Sequence, residues 1–168
     1  GACYNNEDAP TAMKRELFEK TGIENINFRL HNIFSDPKRS PLCRMLAVGY
    51  IGVIDCERVK FLKETSKTQD AGWFDIEKVC DLGYDHDVIL KDAIQYLKNN
   101  IFDTDILKDL FPKYFTLPEI HKAYESILNR SIDRRNFRKQ LLQKSIIADS
   151  GKMENATGKK PSKLYTFI

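Results

Sequence analysis

Two groups of residues in this 168-residue chain carry the types and spacing that chemistry needs. The first is Arg134, Arg135, Asn136, Arg138 and Lys139. Lysine and arginine neutralise phosphates. An arginine also pairs bidentately with guanine, and an asparagine with adenine, in a major groove. Lys159, Lys160 and Lys163 follow in a polar stretch, placed to grip a nucleic-acid backbone. The second group is Glu7, Arg15, Glu16, Glu19 and Lys20. Glu16 and Glu19 share one helix face, and Lys20, four residues after Glu16, stands in the favourable orientation for an ion pair.

The elements that position these groups are legible from periodicity. A helix is expected from about Ala9 to Thr21, with Ala12, Met13 and Leu17 apolar and Gly22 as its stop. Asn25 to Phe34 reads as a strand, and "SDPKRSP" as a loop. "RMLAVGYIGVID" is a continuous apolar run, as in a strand covered on both faces. "DAGWFDIEKV" reads as a short strand and then a turn. "YDHDVILKDAIQYLKNN" is an amphipathic helix with Leu90, Ala93, Ile94 and Leu97 at helical spacing. Strands mixed with helices point to an α/β or α+β first domain.

The C-terminal part has a sharper pattern. Thr116 and Glu119 have capping-box spacing, and Ile120, Ala123, Tyr124, Ile127 and Leu128 recur with helical period. "NRSID" breaks this helix, and Asp133 caps a second one, "RRNFRKQLLQK". An apolar "SIIA", a polar loop "DSGKMENATGKKPS" and a strand "KLYTF" follow. Helix, turn, helix and hairpin is the order of a winged helix-turn-helix. At about 100° per residue, Arg135, Asn136 and Lys139 point away from Phe137 and Leu141, with Arg138 at the edge and Leu142 interrupting the division. Phe137 and Leu141 are expected to anchor on Ile120 and Tyr124.

Charge divides the chain the same way. Lys113 to Ile168 holds 12 of the 27 basic residues but 5 of the 24 acidic ones, so a basic module follows an acidic one. A solvated basic helix with no partner is the bland alternative for that module. No apolar run approaches the roughly 20 residues of a membrane helix; the longest, Met45 to Ile54, reads as a strand. No signal peptide is visible. Cys3, Cys43, Cys56 and Cys80 form no CxxC pair and suit isolated thiols in a reducing cytoplasm. His31, His86 and His121 add no close pair for zinc.

The opening stretch, "GACYNNEDAPTAMKRELFEKTGI", resembles the Nudix box, G-x5-E-x7-R-E-U-x-E-E-x-G-U, where U is aliphatic. Gly1, Glu7, Arg15, Glu16, Leu17, Glu19, Gly22 and Ile23 stand at matching spacing, with the common Ala12 before the arginine. "AGWFDIEKV" is similar to a strand-turn near the end of many Nudix domains. In Nudix hydrolases the residues matching Glu16 and Glu19 hold magnesium, which neutralises a diphosphate and positions water. The family has another glutamate where this chain has Lys20. The resemblance therefore implies weak magnesium binding at Glu16 and Glu19 and little or no hydrolysis. Several strands ordinarily precede such a box, so the domain is expected to be N-terminally incomplete.

"FTLPEIHKAYESILNRSIDRRNFRKQLLQKSII", "GKKPSKLYTF" and "LGYDHDVILKDAI" are similar to segments of the Nudix-related transcriptional regulators. That resemblance implies an α+β chain: an α/β/α Nudix domain with a mixed sheet over 1–100, a connector over 101–114 and a winged helix over 115–168. It implies that Arg134, Arg135, Asn136, Arg138 and Lys139 lie on a recognition helix, with Lys159, Lys160 and Lys163 as the wing. It implies a homodimer on a palindromic double-stranded DNA operator. The effector is expected to be ADP-ribose, a nucleotide sugar or a sugar, contacted by Arg15, Glu19 and Trp73. Trp73 equally suits a core position, and His86 suits either the effector pocket or a structural hydrogen bond. No firm cofactor is implied; magnesium belongs to the alternative, an active Nudix hydrolase of ADP-ribose or a related nucleoside diphosphate. A third class, a winged helix that binds protein, is disfavoured by the basic second helix and wing.

Overall fold

The computed structural model describes residues 1–59, 71–154 and 161–168. The chain divides into two compact units, Gly1–Ile94 and Gln95–Ile168.

In the first unit, helix α1 spans Ala9–Thr21. Asp8 caps it by accepting from Thr11 N at 2.9 Å, and Pro10 occupies its first turn. Gly22 ends it in the left-handed region, at φ 77°, and donates its N–H to Phe18 O at 2.8 Å. Strands β1 (Phe28–Phe34) and β2 (Ala47–Gly52) pair antiparallel, with an irregularity between Leu30 and Asn32 that leaves His31 as the extra residue.

The expectation of a strand covered on both faces is not met. Leu30 pairs with Tyr50 and Ile33 with Val48, so these side chains share one face; Leu30, Ile33 and Val48 are exposed, as is Leu46 just before β2. The opposite face carries Asn32 against Gly49. Among the described residues, one face of the β1–β2 pair is therefore exposed. Gly49 is required by its neighbour: a Cβ there would come within 2.4 Å of His31 Nε2.

"AGWFDIEKV" also departs from expectation: residues 71–80 hold a turn but no strand. Asp75 accepts from Glu77 N at 3.1 Å, and its carbonyl accepts from Lys78 N at 2.9 Å. A side chain that bonds the local backbone competes with a sheet ladder, and here the turn wins. Helix α2, His86–Asn100, then carries Leu90, Ala93, Ile94 and Leu97 in half-buried positions.

The second unit is a helical pair over a small sheet. Strand β3 (Phe115–Thr116) leads directly into α3 (Leu117–Leu128), followed by α4 (Arg134–Gln143), β4 (Ile147–Glu154) and β5 (Ser162–Phe167). The sheet order is β3-β5-β4, all antiparallel. The Glu119 carboxylate accepts from Thr116 N at 2.6 Å and from Thr116 Oγ1 at 2.8 Å, which closes the start of α3. Asp133 starts α4 by accepting from Asn136 N at 2.9 Å. The polar stretch after "SIIA" is not all loop. β4 continues to Glu154 across a register shift between Asp149 and Met153, with Gly151 at φ 69°.

The core is aromatic. The Phe137 ring meets Tyr124 and His121, each with centroids 5.0 Å apart and edge-to-face. Ile120, Tyr124, Phe137 and Leu141 are fully buried, so the anchoring expected from the sequence is observed. Ile101, Ile106 and Leu107 join them from the segment after α2. Tyr124 Oη donates to Ile101 O at 2.9 Å, and burial pushes its phenol well above the usual tyrosine range. No helix of the described residues is long and apolar enough to cross a membrane.

Phe137→Ala is expected to destabilise the second unit by about 3–5 kcal/mol, the usual loss for a buried phenylalanine. A urea titration read through amide exchange in α3 and α4 measures this. A loss under about 1 kcal/mol would contradict the packing described.

Candidate functional site

In the first unit, α1 gathers the N-terminal charges around Arg15. Its guanidinium donates to both Glu7 oxygens, at 2.6 and 3.0 Å, to Glu16 Oε1 at 3.0 Å and to Glu19 Oε2 at 3.2 Å. It also reaches Ala2 O at 3.0 Å and lies 4.0 Å from the Tyr4 ring centroid. Lys20 Nζ stands 3.2 Å from Glu16 Oε2. Gly1 lies against the Glu16 carboxyl: a Cβ there would come within 1.9 Å of its carbon.

These contacts set the protonation of the site. The hydrogen bond from Arg15 holds Glu7 below the usual glutamate range. Burial pushes Glu16 up, but the hydrogen bonds from Arg15 and Lys20 outweigh it and bring its carboxyl down to about 2.

The residues present do not fit a magnesium ion. Magnesium requires near-octahedral oxygen ligands at roughly 2.0–2.1 Å. Both Glu16 oxygens already face cations, and Glu19 shares Arg15. An ammonium stands where the box would supply a third carboxylate. Among the described residues, no three His, Cys, Asp or Glu side chains converge as a metal-ligand set.

A cleft of about 340 Å³ opens beside α1, its apolar lining of Met13, Leu17, Phe18, Ile23, Ile26 and Phe28 joined by the polar Lys14, Arg15, Glu24 and Asn25. That volume lies within the ordinary range for small-molecule sites. Arg15 thus faces both the carboxylates and the cleft; Glu19 joins only the carboxylates. Trp73 is half exposed in the irregular segment after residue 70 and is not a core residue. His86 begins α2 as an exposed residue, its ring 6.1 Å from Tyr84. Its neighbour Asp85 accepts two hydrogen bonds from Arg39, each 2.9 Å, which hold its carboxyl below the usual range.

In the second unit, Arg134, Arg135, Asn136, Arg138 and Lys139 are all exposed on α4, whose Phe137 and Leu141 are buried. Arg135, Asn136 and Lys139 face away from that buried pair, Arg138 stands at the edge, and Arg134 is the first residue of the helix. Arg138 Nε donates to Tyr165 Oη at 3.0 Å, which fixes the root of that side chain to β5. Lys163, on β5, is 2.9 Å from Asp149 on β4. Lys159 and Lys160 lie outside the described residues. On β4, Lys152 approaches the Tyr114 ring to 4.1 Å. Tyr4, Asp149 and Tyr165 had no motif to announce them; only their partners show what they do.

Comparison with known proteins now bears on this geometry. Residues 108–167 match the family described as the NrtR DNA-binding winged helix domain. The chain is 28% identical over 155 residues to an ADPR responsive transcriptional repressor NtrR from Acinetobacter baylyi, covering 91% of this chain and 61% of that protein. It therefore spans about three fifths of that relative's length. Its fold is similar to that of Shewanella oneidensis NrtR in complex with a 27mer DNA, with TM-score 0.80, 20% identity, all of this chain and 77% of the other. It is also similar to a MutT/nudix family protein from Enterococcus faecalis, with TM-score 0.74, 22% identity, all of this chain and 71% of the other. The fold is thus Nudix-like in its first part and winged-helix in its second. The match over residues 108–167 is to a winged helix domain of the NrtR kind, and the likeness to both solved structures is one of fold.

The charge network predicts an acid response. Glu16 sits at about 2 in the folded chain against an ordinary 4.5, so its contribution is complete above about 4.5 and is lost as pH falls through about 2. Urea titrations across that window are expected to show stability falling with acid, and Glu16→Gln is expected to flatten the fall. An unchanged slope in the variant would show that Arg15 and Lys20 do not hold Glu16 in solution.

Proposed function

We propose that this chain is a metabolite-responsive transcriptional regulator, a repressor that binds double-stranded DNA as a homodimer. The observation that carries the reading is the α4 surface: five exposed polar or basic side chains over a fully buried Phe137–Leu141 seat. The arrangement holds a charged helix rigidly outward, as insertion into a major groove requires. Lys159, Lys160 and Lys163 act as the wing on the phosphate backbone. Two such units in a dimer match a palindromic operator. The protein works in the cytoplasm.

The first unit acts as the sensor. Its effector is ADP-ribose, a nucleotide sugar or a sugar, with Arg15, Glu19 and Trp73 as contacts. The name of the Acinetobacter relative, an ADPR responsive repressor, favours ADP-ribose. The α1 cleft offers Lys14 to a phosphate beside the acidic Glu24, and its apolar lining suits a flat or apolar group. Effector binding acts through differential affinity for two forms of the dimer.

A second reading, a magnesium-dependent Nudix hydrolase, draws on Glu7, Arg15, Glu16 and Glu19 standing together as in the box. Lys20 weighs against it, because its ammonium already holds the Glu16 oxygen that a metal would take. Magnesium-dependent cleavage of a nucleoside diphosphate is the signature of that reading.

Fluorescence anisotropy of a labelled duplex tests the DNA-binding role. Binding by the full chain is expected to weaken linearly in log–log form as salt rises, with a slope of roughly −0.9 per phosphate neutralised. Arg135→Ala is expected to weaken binding about five- to tenfold. Salt-independent binding, or full affinity in the variant, would remove α4 from the interface.

A further inference from the structure

Lys163 and Arg138 are two of the cations assigned above to DNA, yet an acid stands between them. Asp149 is paired in register with Tyr165 across β4 and β5. Lys163 lies two residues before Tyr165 on the same strand, so Asp149, Lys163 and Tyr165 share one face of the sheet. That face meets α4, because Arg138 Nε donates to Tyr165 Oη at 3.0 Å. Lys163 Nζ donates to Asp149 Oδ2 at 2.9 Å, and Gly151 N donates to Asp149 Oδ1 at 3.0 Å. Tyr165, opposite Asp149 in the ladder, carries the Arg138 guanidinium to the same face, where the field of Asp149 also favours the charged form of Arg138.

A carboxylate in that place has no part in gripping phosphate. It occupies the ammonium of Lys163, repels a phosphate that approaches Arg138, and lowers the positive potential of the whole face. The Lys163–Asp149 pair is well exposed, and exposed pairs are weak enough to exchange partners. A duplex can take Lys163 only by displacing or sharing that carboxylate. The penalty is the same for every sequence, whereas contacts from α4 to base edges are made only on the correct one.

We infer that Asp149 is a specificity-determining residue of the DNA interface: its carboxylate competes with backbone phosphates for Lys163 and Arg138 and so suppresses binding to duplex of arbitrary sequence. The inference rests on the DNA-binding reading of α4 and the hairpin. Backbone contacts alone then hold the protein poorly, and base contacts must supply the remainder.

The test is anisotropy with the full chain and a mixed-sequence duplex over a range of salt. Asp149→Asn keeps the acceptor for Gly151 N and removes only the charge. It is expected to bind this duplex roughly tenfold tighter near 0.1 M salt, with a log–log slope steeper by about one, as one added phosphate contact requires. Asp149→Ser is expected to act in the same direction. In a Lys163→Gln background, Asp149→Asn is expected to gain markedly less, because the two side chains are coupled. Wild-type binding that Asp149→Asn leaves unchanged or weakens would overturn the inference while leaving the DNA-binding reading intact. Failure of the wild-type and both Asp149 variants to bind any duplex at low salt would overturn both.

Discussion

The seat of Phe137 against Tyr124 is the contact on which the C-terminal unit depends. Both rings are fully buried, edge-to-face, and Tyr124 also bonds Ile101 O. One aromatic pair thus fixes α4 to α3 and ties both to the chain that follows α2. Because Phe137 and Leu141 are committed inward, the helical period turns Arg135, Asn136 and Lys139 outward and leaves Arg138 at the edge, while Arg134 is exposed as the first residue of the helix. A basic helix without such a seat would be only a solvated charge run. The seat makes it a fixed surface, and Tyr165 extends the order to the side chain of Arg138.

The first unit shows how one residue changes what a constellation can do. Arg15 draws Glu7, Glu16 and Glu19 together within 3.2 Å, as an enzyme of this fold would need. Lys20 then sets its ammonium 3.2 Å from the remaining Glu16 oxygen. A carboxylate whose proton affinity has fallen to about 2 through organic cations is already neutralised, and a hard metal must displace those cations before it can bind. The scaffold remains ordered and charged while its donor set no longer suits magnesium.

Local signals carried much of this. Gly22 marked the end of α1, Asp133 the start of α4, and the Thr116–Glu119 spacing the start of α3, because caps act within a few residues of themselves. The apolar period of α4 was enough to separate its two surfaces. What sequence did not reveal depends on partners far along the chain. Arg39 and Asp85 are 46 residues apart and meet only through the fold. Asp149 lay in a stretch read as loop, so its register opposite Tyr165 was invisible. The segment after residue 70 reads as a short strand and then a turn; the turn is present, and Asp75 bonds its local backbone there, but no strand precedes it among the described residues. The run from Met45 to Ile54 was apolar enough for a doubly covered strand, yet only its pairing with β1 shows which face stays open.

The most direct measurement of the central claim is the affinity of the full chain for a duplex, with and without ADP-ribose in the presence of magnesium, while the nucleotide is followed by chromatography. For a sensor, ADP-ribose changes the DNA affinity and is recovered intact. Complete cleavage of ADP-ribose with DNA affinity unchanged would mean that the opening motif is still a catalytic site despite Lys20.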